Sequence, residues 1–389
     1  MKKLSFSLLL VLCLSACMRP TTRHPPLPSL DSSDMRQIRR EIVGFSHQAS
    51  NERRYRISNV HYNLMKSTGQ ELCDRRLLPD IGVDLMRLNR LKASRWFNPN
   101  YQALKDEHDD VKNIYHRNVG DVWIENVYKN SAAAKAGLKK GDRLVRLYGV
   151  DIPVEGKVFE KINDLMVRHS KDGLPVDVEV ERNGRPLSFS IQPDMICPYK
   201  IFIDTSYGAI NAFADGDRIF VTQELIDYVR DDDALAAVIA HELAHNTLGH
   251  NQAQQTNMGL GMFIGALTDI FTRSNGEVSV LGAEIGAGAY SKEFEMEADY
   301  LSLYYLARAG YDYKSAGKIQ KYLAARDYWS VYRDGDTHPV PQLRYALLKE
   351  TAKEIDLKKA FKHDLVPDFE RNNAHLQDKK DISKGFKWF

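Results

Sequence analysis

The sequence predicts an α+β protein, with a β-rich unit in its first half and a mainly helical unit with a small sheet in its second half. Two observations predict the β-rich unit: residues 176–182 and 187–191 alternate in polarity, and the Asn-Gly pair between them is typical of a hairpin turn. The helical unit is predicted from two long segments that open at Asp231 and Ser291. A chain of 389 residues is long enough for two or three domains, each with its own core.

Residues 1–16 are predicted to be a signal peptide. Two lysines precede an apolar run at residues 4–14, which is too short to span a bilayer as a mature helix. The run ends in Leu-Ser-Ala-Cys, which resembles the lipobox of bacterial lipoproteins and implies cleavage before Cys17 and lipid attachment to its thiol. Met18 follows instead of aspartate, and in that family this favours the outer membrane. The alternative is an ordinary secretory signal, and in both cases the mature protein lies outside the cytosol.

The mature chain is predicted to carry no net charge. The whole sequence has a formal net charge of +2, and residues 1–16 contain two lysines and no acidic residue. A neutral chain offers no electrostatic attraction for nucleic acid, so a nucleic-acid partner is not expected. Because no apolar run after the signal is long enough to cross a membrane, the lipid on Cys17 is the predicted anchor.

Between the signal and the β-rich unit we expect a tether and a helical region. Residues 17–34 are rich in Pro, Ser and Thr and are predicted to form an extended tether. In the helical region, residues 35–73, Asp34 is expected to cap a first helix that runs through Ile42. A second helix is predicted over residues 51–72 from apolar residues at helical spacing, namely Ile57, Val60 and Leu64.

The β-rich unit, residues 74–196, contains a specific motif at residues 130–144, Asn-Ser-Ala-Ala-Ala-Lys-Ala-Gly-Leu-Lys-Lys-Gly-Asp-Arg-Leu. It resembles the core of bacterial PDZ domains, in which a short helix runs into a glycine turn and a Gly-Asp pair opens the next strand. A later helix around Val158–His169 and the hairpin at residues 176–191 follow in the order of that family. The resemblance implies a β-rich PDZ domain.

PDZ domains bind the C-termini of peptides by adding the peptide as a strand and holding its carboxylate with backbone N–H groups. The segment Ile81-Gly82-Val83 has the apolar-Gly-apolar pattern of the strand that receives the peptide, which predicts peptide C-termini as partners. In this interpretation residues 88–118 are an insertion in the domain. The alternative is that residues 81–85 form a strand with a structural role only.

Two cysteines remain for pairing, because Cys13 is removed with the signal and Cys17 is predicted to carry lipid. In an oxidising compartment Cys73 and Cys197 are expected to form a disulfide, and two separate buried thiols are the alternative. These two cysteines flank the predicted PDZ domain, and the termini of a domain usually lie close together. A disulfide at this place would join the neck of the PDZ domain to the next domain.

The helical unit, residues 197–350, contains a pattern of metal ligands. His241 and His245 are four residues apart, so both lie on one face of a helix and are predicted to bind the same zinc ion. Glu242 is rotated by about 100° from His241, which places its carboxylate beside the metal. There it is predicted to act as the catalytic base on a water molecule whose pKa the metal lowers to about 7.

A third ligand is predicted from the second long helix. Glu295 and Asp299 are four residues apart on it, an arrangement in which the glutamate binds zinc and the aspartate orients a ligand histidine. Glu293 and Glu297 are the competing choices and lack an aspartate at this spacing. His250 comes one residue too early to be the third ligand of a metzincin.

This combination resembles the gluzincin family that includes the CAAX prenyl endopeptidase, mitochondrial Oma and bacterial HtpX, in which His-Glu-x-x-His is followed later by Glu-x-Glu-Ala-Asp. The sequence is similar in organisation to the PDZ-containing periplasmic lipoproteins of that family. The resemblance implies a mainly helical metallopeptidase domain with a small edge-strand sheet. It also implies a cleft rim that pairs with the substrate backbone, formed by Asn211, Ala212 and Phe213. By the same resemblance, His338 contributes to catalysis near the zinc or the oxyanion, and Arg344 supports the site.

The predicted function is that of a zinc-dependent endopeptidase with one Zn²⁺ per chain, in the bacterial cell envelope and facing the periplasm. By the same resemblance its substrates are unfolded or misassembled envelope proteins. The alternatives are a non-proteolytic chaperone or assembly lipoprotein that contains zinc, and a PDZ adaptor with a dormant peptidase domain.

The glycines of residues 258–290 are expected either to pack helices closely or to belong to a membrane-touching lid over the cleft. Residues 351–389 are expected to form a charged tail.

Overall fold

The structure is a computed structural model that describes residues 31–87, 120–169, 173–205, 208, 210–272, 279–281, 284, 291–326 and 341–368. The predicted signal peptide, Cys17, His338 and the whole predicted insertion at residues 88–118 lie outside the described residues. In the part of the chain that is described, no helix is both long enough and apolar enough to cross a membrane.

Helix α1 is a single long helix, Ser32–Thr68. Asp31 caps it: its carboxylate accepts hydrogen bonds from the N–H groups of Ser33 and Asp34, and the Asp34 carboxylate accepts the N–H of Asp31 in return. The predictions that Asp34 is the cap and that this region holds two helices were therefore wrong. No proline occurs between residues 32 and 68, so nothing in the backbone interrupts the helix.

Helix α1 packs against both units of the chain. Its apolar face is buried in the core of the helical unit through Ile57, Val60, Leu64 and Met65. On its polar face, the Tyr62 hydroxyl donates to Asp194 at 2.7 Å, and Lys66 Nζ lies 3.0 Å from the same carboxylate. The side chain of Asn59 accepts the N–H of Lys129 at 2.7 Å. One helix therefore connects the core of the helical unit to the surface of the β-rich unit.

The β-rich unit is built on one antiparallel sheet. Its strands are β2 Val83–Arg87, β3 Val122–Val127, β4 Arg143–Leu147, β5 Val150–Asp151, β6 Val176–Arg182 and β7 Arg185–Ile191. They lie in the order β2-β3-β4-β6-β7, and β5 pairs with β4. Helices α2 Ala132–Ala136 and α3 Val158–His169 share the core of this sheet. Asn183 and Gly184 both have positive φ angles, 53° and 74°, as the predicted two-residue hairpin turn requires.

The helical unit combines a three-stranded sheet with long helices. The strands are β9 Lys200–Asp204, β10 Ala212–Ala214 and β11 Arg218–Thr222. In this sheet β11 lies in the centre, parallel to β9 and antiparallel to β10. The helices are α4 Gln223–Tyr228, α5 Asp232–Thr247, α6 His250–Thr272, α7 Ser291–Ala309, α8 Ala316–Arg326 and α9 Pro341–Ala360. The predicted α+β class is confirmed, and most of the described α-helices lie in the second half of the chain.

A disulfide joins Cys73 to Cys197, with a Cα–Cα distance of 5.8 Å. It lies next to a two-stranded antiparallel sheet formed by β1 Leu78–Asp80 and β8 Asp194–Ile196. The N–H of Cys197 also donates to the C=O of Met65 in α1 at 3.1 Å. The two ends of the β-rich unit are therefore held together at α1, as the positions of the two cysteines predicted.

Helix α6 carries exposed apolar side chains, including Leu260, Phe263 and Ile264. At Gly259 no neighbouring atom lies within 4 Å of the position that a Cβ would take. The close helix packing that was one expected role of the Gly-rich segment is therefore not observed at this glycine. Much of that segment, including residues 285–290, lies outside the described residues.

Three carboxylates meet where α1 contacts the β-rich unit. Asp80 is half-buried, and its carboxylate accepts the N–H of Gly82 at 2.7 Å. Burial, together with the charges of Asp194 and Asp84, raises the pKa of Asp80 to about 6. This value lies above 3.8, the ordinary value for aspartate. The stability that protonated Asp80 contributes is therefore fully present below the ordinary value and is lost as the pH rises through about 6.

We predict that Asp80→Asn raises the free energy of unfolding at about pH 8 and leaves it unchanged below about pH 4. The reason is that asparagine keeps an acceptor for the N–H of Gly82 and carries no charge. Thermal melting of the two proteins over this pH range measures the effect, with Asp364→Asn as a control at an exposed aspartate. If the melting temperatures of the wild type and Asp80→Asn changed with pH in the same way, the prediction would be contradicted.

Candidate metal centre

Helix α5 presents both predicted histidine ligands. The helix is capped by Asp231, whose carboxylate accepts the N–H of Asp233 at 3.1 Å. His241 and His245 lie one turn apart, so their rings converge, and their Nε2 atoms are 3.1 Å apart. Small side chains allow the rest of the helix to sit within the core, and the fully buried ones are Ala236, Ala240 and Ala244.

Helix α7 brings Glu295 to the two histidines. Its Oε2 lies 3.5 Å from Nε2 of His241, and its Oε1 lies 3.5 Å from Nε2 of His245. The three residues offer ligand atoms that all lie within 4.8 Å of one another. In a tetrahedral site with zinc–nitrogen distances of about 2.0–2.1 Å, neighbouring ligand atoms are separated by about 3.4 Å. The observed spacing therefore fits a zinc ion with three protein ligands and one further position for water or substrate.

Asp299 and Arg344 stand behind His241 and Glu295. Nδ1 of His241 lies 3.0 Å from Oδ1 of Asp299, which turns Nε2 toward the ligand position. Arg344 donates two hydrogen bonds to Asp299, at 2.7 and 2.8 Å, and its Nη1 lies 2.9 Å from Oε2 of Glu295. One guanidinium therefore holds both the carboxylate that orients a histidine and the carboxylate at the third ligand position.

Burial and charge act in opposite directions on this cluster. Burial disfavours the charged form of His241, but hydrogen bonds with Asp299 and Glu295 outweigh it and raise the pKa of His241 to about 10. Burial also favours the neutral form of Asp299, but hydrogen bonds from Arg344 and His241 hold its pKa below the ordinary value. Asp299 is therefore ionised at neutral pH, and a metal ion at His241 would displace a proton from the ring.

His245 is oriented by two residues that the sequence interpretation did not assign to this role. Nδ1 of His250 lies 3.0 Å from Nδ1 of His245, and Nε2 of His250 lies 3.1 Å from Oε2 of Glu297. Burial lowers the pKa of His250, which favours a neutral ring with one donor and one acceptor nitrogen. If Nε2–H of His250 donates to Glu297, then Nδ1–H of His245 donates to His250. That arrangement of protons leaves Nε2 of His245 free to bind a metal.

From the sequence, Glu297 was only a competing choice of zinc ligand, and His250 was only a residue too early to be the third ligand of a metzincin. Neither belongs to the group of three ligand residues. Gly249, with φ of 68°, ends the turn after α5 and lets the chain fold back, so that His250 faces His245. The available signal was a histidine five residues after a ligand histidine, separated from it by a glycine.

Glu242 lies next to the ligand group and is not part of it, as expected of a catalytic base. Burial lowers the pKa of Arg344, but its hydrogen bonds and the charges of Asp299 and Glu295 raise the pKa by more. The charge of Glu242 acts in the same direction. The Glu242 carboxylate is therefore within electrostatic reach of the guanidinium that holds Glu295.

Two asparagines tie the hairpin of β10 and β11 to the ligand helix and its successor. The side chain of Asn246, which directly follows the second ligand histidine, is buried and accepts the N–H of Gly216 at 2.7 Å. It also donates to the C=O of Arg218 at 3.2 Å. Asn251 donates to the C=O of Ala214, the last residue of β10, at 2.7 Å. The sequence interpretation singled out neither asparagine, although together they place the edge strand beside the ligand group.

The predicted rim residues Asn211, Ala212 and Phe213 lie at the edge of the three-stranded sheet. Ala212 and Phe213 belong to the edge strand β10. Asn211 extends its pairing, because its N–H donates to Oγ1 of Thr222 at 3.0 Å and its C=O accepts the N–H of Thr222 at 2.9 Å. Among the described residues, no strand pairs with the outer side of β10, so the rim is an edge of the sheet. His338 lies outside the described residues.

The segment predicted to bind peptide C-termini, Ile81-Gly82-Val83, lies where the β-rich unit meets α1. Val83 opens β2, the edge strand of the larger sheet. The N–H of Gly82 donates to the Asp80 carboxylate, and a Cβ at Gly82 would lie 2.8 Å from the ring of Tyr62. A backbone donor that would hold a peptide carboxylate is therefore already paired with a carboxylate of the chain.

Two family models match the chain. Residues 179–352 match Peptidase family M48, and residues 79–192 match the PDZ domain. The first range contains the ligand group on α5 and α7, and the second contains the six-stranded sheet. The predicted combination of a metallopeptidase domain of this family with a PDZ domain is confirmed.

The relatives of the chain include several proteases. It is 31% identical over 139 residues to the regulator of sigma-E protease RseP of Escherichia coli, which covers 35% of this chain and 28% of that protein. It is 26% identical over 153 residues to the mitochondrial metalloendopeptidase OMA1 of Schizosaccharomyces pombe, covering 38% of this chain and 45% of that protein. The beta-barrel assembly-enhancing protease of Escherichia coli is 29% identical over 175 residues, covering 41% of this chain and 35% of that protein.

The chain thus spans less than half the length of these relatives. Among solved structures, the HtrA3 PDZ domain bound to a phage-derived ligand covers 31% of this chain and 88% of its own, with 19% sequence identity and a TM-score of 0.21.

We predict that His250→Ala weakens zinc binding by about 10- to 100-fold, because the outer partners that orient a ligand histidine have effects of this size on metal affinity. Glu297→Gln, which keeps an acceptor and removes the charge, is expected to weaken binding less. Competition with a chelator of known zinc affinity measures the change. Gln252→Ala, an exposed substitution on α6, is the control. Equal zinc affinity of His250→Ala and the control would exclude the proposed role of His250.

Proposed function

Because residues 179–352 form a domain of peptidase family M48, we propose that this protein is a zinc-dependent endopeptidase with one zinc ion per chain. The observation that carries the proposal is the spacing of the three ligand atoms, 3.1 and 3.5 Å between neighbours, with a carboxylate next to the group and outside it. His241, His245 and Glu295 would hold the ion. A structural zinc site has four protein ligands, whereas three ligands and a free carboxylate suit catalysis.

The chemistry divides between the metal and the chain. Zinc, when bound, supplies a Lewis acid that polarises the peptide carbonyl and makes a nearby water more acidic. Glu242 accepts the proton of the attacking water and passes it to the leaving amine. Asp299 and the pair of His250 with Glu297 keep the two histidine rings in the orientation that presents Nε2.

Substrates are proposed to bind as an added strand on β10. In antiparallel pairing the N–H and C=O of one residue point to the same side of the strand. The backbone hydrogen bonds of Asn211 and Asp215 run to β11, so by alternation those of Ala212 and Ala214 point away from β11. Asn251 holds the C=O of Ala214. Within the described part of the chain, the groups left for substrate are therefore both groups of Ala212 and the N–H of Ala214.

The substrates are proposed to be unfolded or misassembled proteins of the bacterial envelope. A strand edge binds extended backbone of any sequence, and an unfolded segment can present such a backbone along its whole length. A relative whose name refers to enhancing β-barrel assembly supports the same class of substrate. The disulfide between Cys73 and Cys197 supports an oxidising compartment outside the cytosol.

The PDZ domain is proposed to recruit such chains by their C-termini at the open edge of β2. The Asp80 carboxylate already accepts the N–H of Gly82, so a peptide carboxylate has to replace it there. Recruitment would therefore compete with a contact inside the chain. This competition keeps the affinity for any single C-terminus low, which suits a domain that must release many different substrates.

We predict that Glu242→Gln keeps zinc and loses cleavage of an unfolded protein such as casein, by at least about 100-fold in rate. Glutamine has the size of glutamate and cannot accept the proton. Zinc content by metal analysis and casein cleavage are measured on the same preparation, with Glu293→Gln as an exposed control on α7. Equal cleavage by Glu242→Gln and the wild type would exclude this mechanism. A wild type that holds zinc and cleaves nothing would instead favour a non-proteolytic chaperone or adaptor.

We propose further that the mature protein is anchored to the outer membrane by lipid on Cys17. We predict that Cys17→Ser, expressed in a bacterium with its own signal, moves from the membrane fraction to the soluble periplasmic fraction, because a serine hydroxyl does not receive the lipid. Fractionation and immunoblotting measure this. Cys13→Ser, a cysteine within the signal, is the control and is expected to stay with the membrane. Equal membrane association of both variants would contradict the anchor.

A further inference from the structure

Three phenylalanines form a continuous row on one face of the three-stranded sheet. Side chains on successive strand residues point to opposite faces. Ile219 and Val221 of β11 are fully buried in the core, so Phe220 between them points to the opposite face. Phe202 in β9 and Phe213 in β10 lie directly opposite Phe220 in the register of the sheet. The three rings, Phe202, Phe220 and Phe213, are called the phenylalanine row.

The rings of the phenylalanine row are stacked. The centroids of Phe202 and Phe220 are 5.7 Å apart with an angle of 25° between the rings, and those of Phe213 and Phe220 are 4.9 Å apart with an angle of 13°. The guanidinium of Arg218 lies 5.2 Å from the centroid of Phe220 and covers the middle of the row. The row therefore repeats at the strand spacing of the sheet and ends at Phe213 on the edge strand.

The outer rings remain accessible in the folded chain. Phe202 is 44% exposed and Phe213 is 37% exposed, although both belong to regular strands of a well-packed domain. Contiguous exposed apolar surface on a folded domain is a feature of binding sites. The row ends at the strand edge to which substrate backbone is proposed to bind. A side chain of the bound substrate is therefore the partner that this position favours.

We propose that the phenylalanine row is a specificity site, in which Phe213 selects an aromatic or large apolar side chain of the substrate strand paired with β10. The inference rests on the proposed peptidase function and identifies the class of residue that the enzyme prefers. A strand added to β10 lies about 4.8 Å away, and its residue opposite Phe213 points to the same face of the extended sheet. An aromatic side chain there becomes the fourth ring of the row.

The direction of the backbone groups strengthens this pairing. Ala212 and Ala214 direct their N–H and C=O groups to the free edge, whereas those of Phe213 are used by β11. In an antiparallel complex, Phe213 and its substrate partner therefore form a non-hydrogen-bonded pair, the kind in which side chains come closest. Backbone pairing at Ala212 thus provides general affinity, and the ring of Phe213 provides selectivity for one side chain.

The test uses short peptides rich in Ser, Thr and Gly in which a single Phe is moved from position to position. At one position, Phe is expected to raise kcat/KM of the wild type by about 2- to 12-fold over Ser, the range for an added aromatic pair. Phe213→Ala is expected to lose this preference at that position. Phe213→Tyr, which keeps the ring, is expected to retain the preference, and Phe202→Ala, at the far end of the row, to reduce it only in part.

The controls separate this inference from the peptidase function. Phe361→Ala removes an exposed phenylalanine that is not part of the row and is expected to change nothing. An unchanged Phe preference in Phe213→Ala would overturn the inference, while cleavage of casein by the wild type would still uphold the proposed function. The preference can also be measured without cleavage. Fluorescence anisotropy gives the affinity of the same labelled peptides for Glu242→Gln and for the double variant that also carries Phe213→Ala. If Glu242→Gln bound the Phe peptide and the Ser peptide with equal affinity, the inference would likewise be overturned.

Discussion

The contact between α5 and α7 is the interaction on which the rest of the site depends. It brings two histidines from one helix within 3.5 Å of a glutamate from the other, across more than forty residues of sequence. Fully buried alanines on both helices, Ala240 and Ala244 on α5 and Ala298 on α7, let the two backbones lie close together in one core. A larger side chain at these places would separate the helices and with them the ligands.

The charges of the site follow from this contact. Buried carboxylates are costly unless they are paired, and removal of one partner leaves the other unpaired. Arg344 meets this constraint for Asp299 and for Glu295 together, and it arrives from a third helix, α9. The residues that orient the two histidines differ. Asp299 contacts His241 directly, whereas His245 is contacted by His250, which in turn contacts Glu297. Both arrangements leave Nε2 as the free nitrogen, which is the property that a metal site needs.

Helix α1 extends the same dependence to the PDZ domain. One face belongs to the core that supports α5 and α7, and the other face holds the segment around Asp194 by polar contacts. The disulfide of Cys73 and Cys197 lies at the same junction. The two domains therefore share one supporting element.

Periodicity in the sequence determined much of the site, because a helix places residues four apart on one face whatever surrounds it. His241 with His245, and Glu295 with Asp299, were predictable for that reason, and the glycine turn of the hairpin at Asn183 for a similarly local one. Whether two helical segments join into one helix depends less on local sequence. The prediction of two helices in the region of α1 was wrong for this reason. Only the tertiary structure decided that His250 folds back onto His245 and that the phenylalanine row ends at the edge strand β10. These contacts join residues whose spacing follows no single helix or strand, so they depend on how the elements pack.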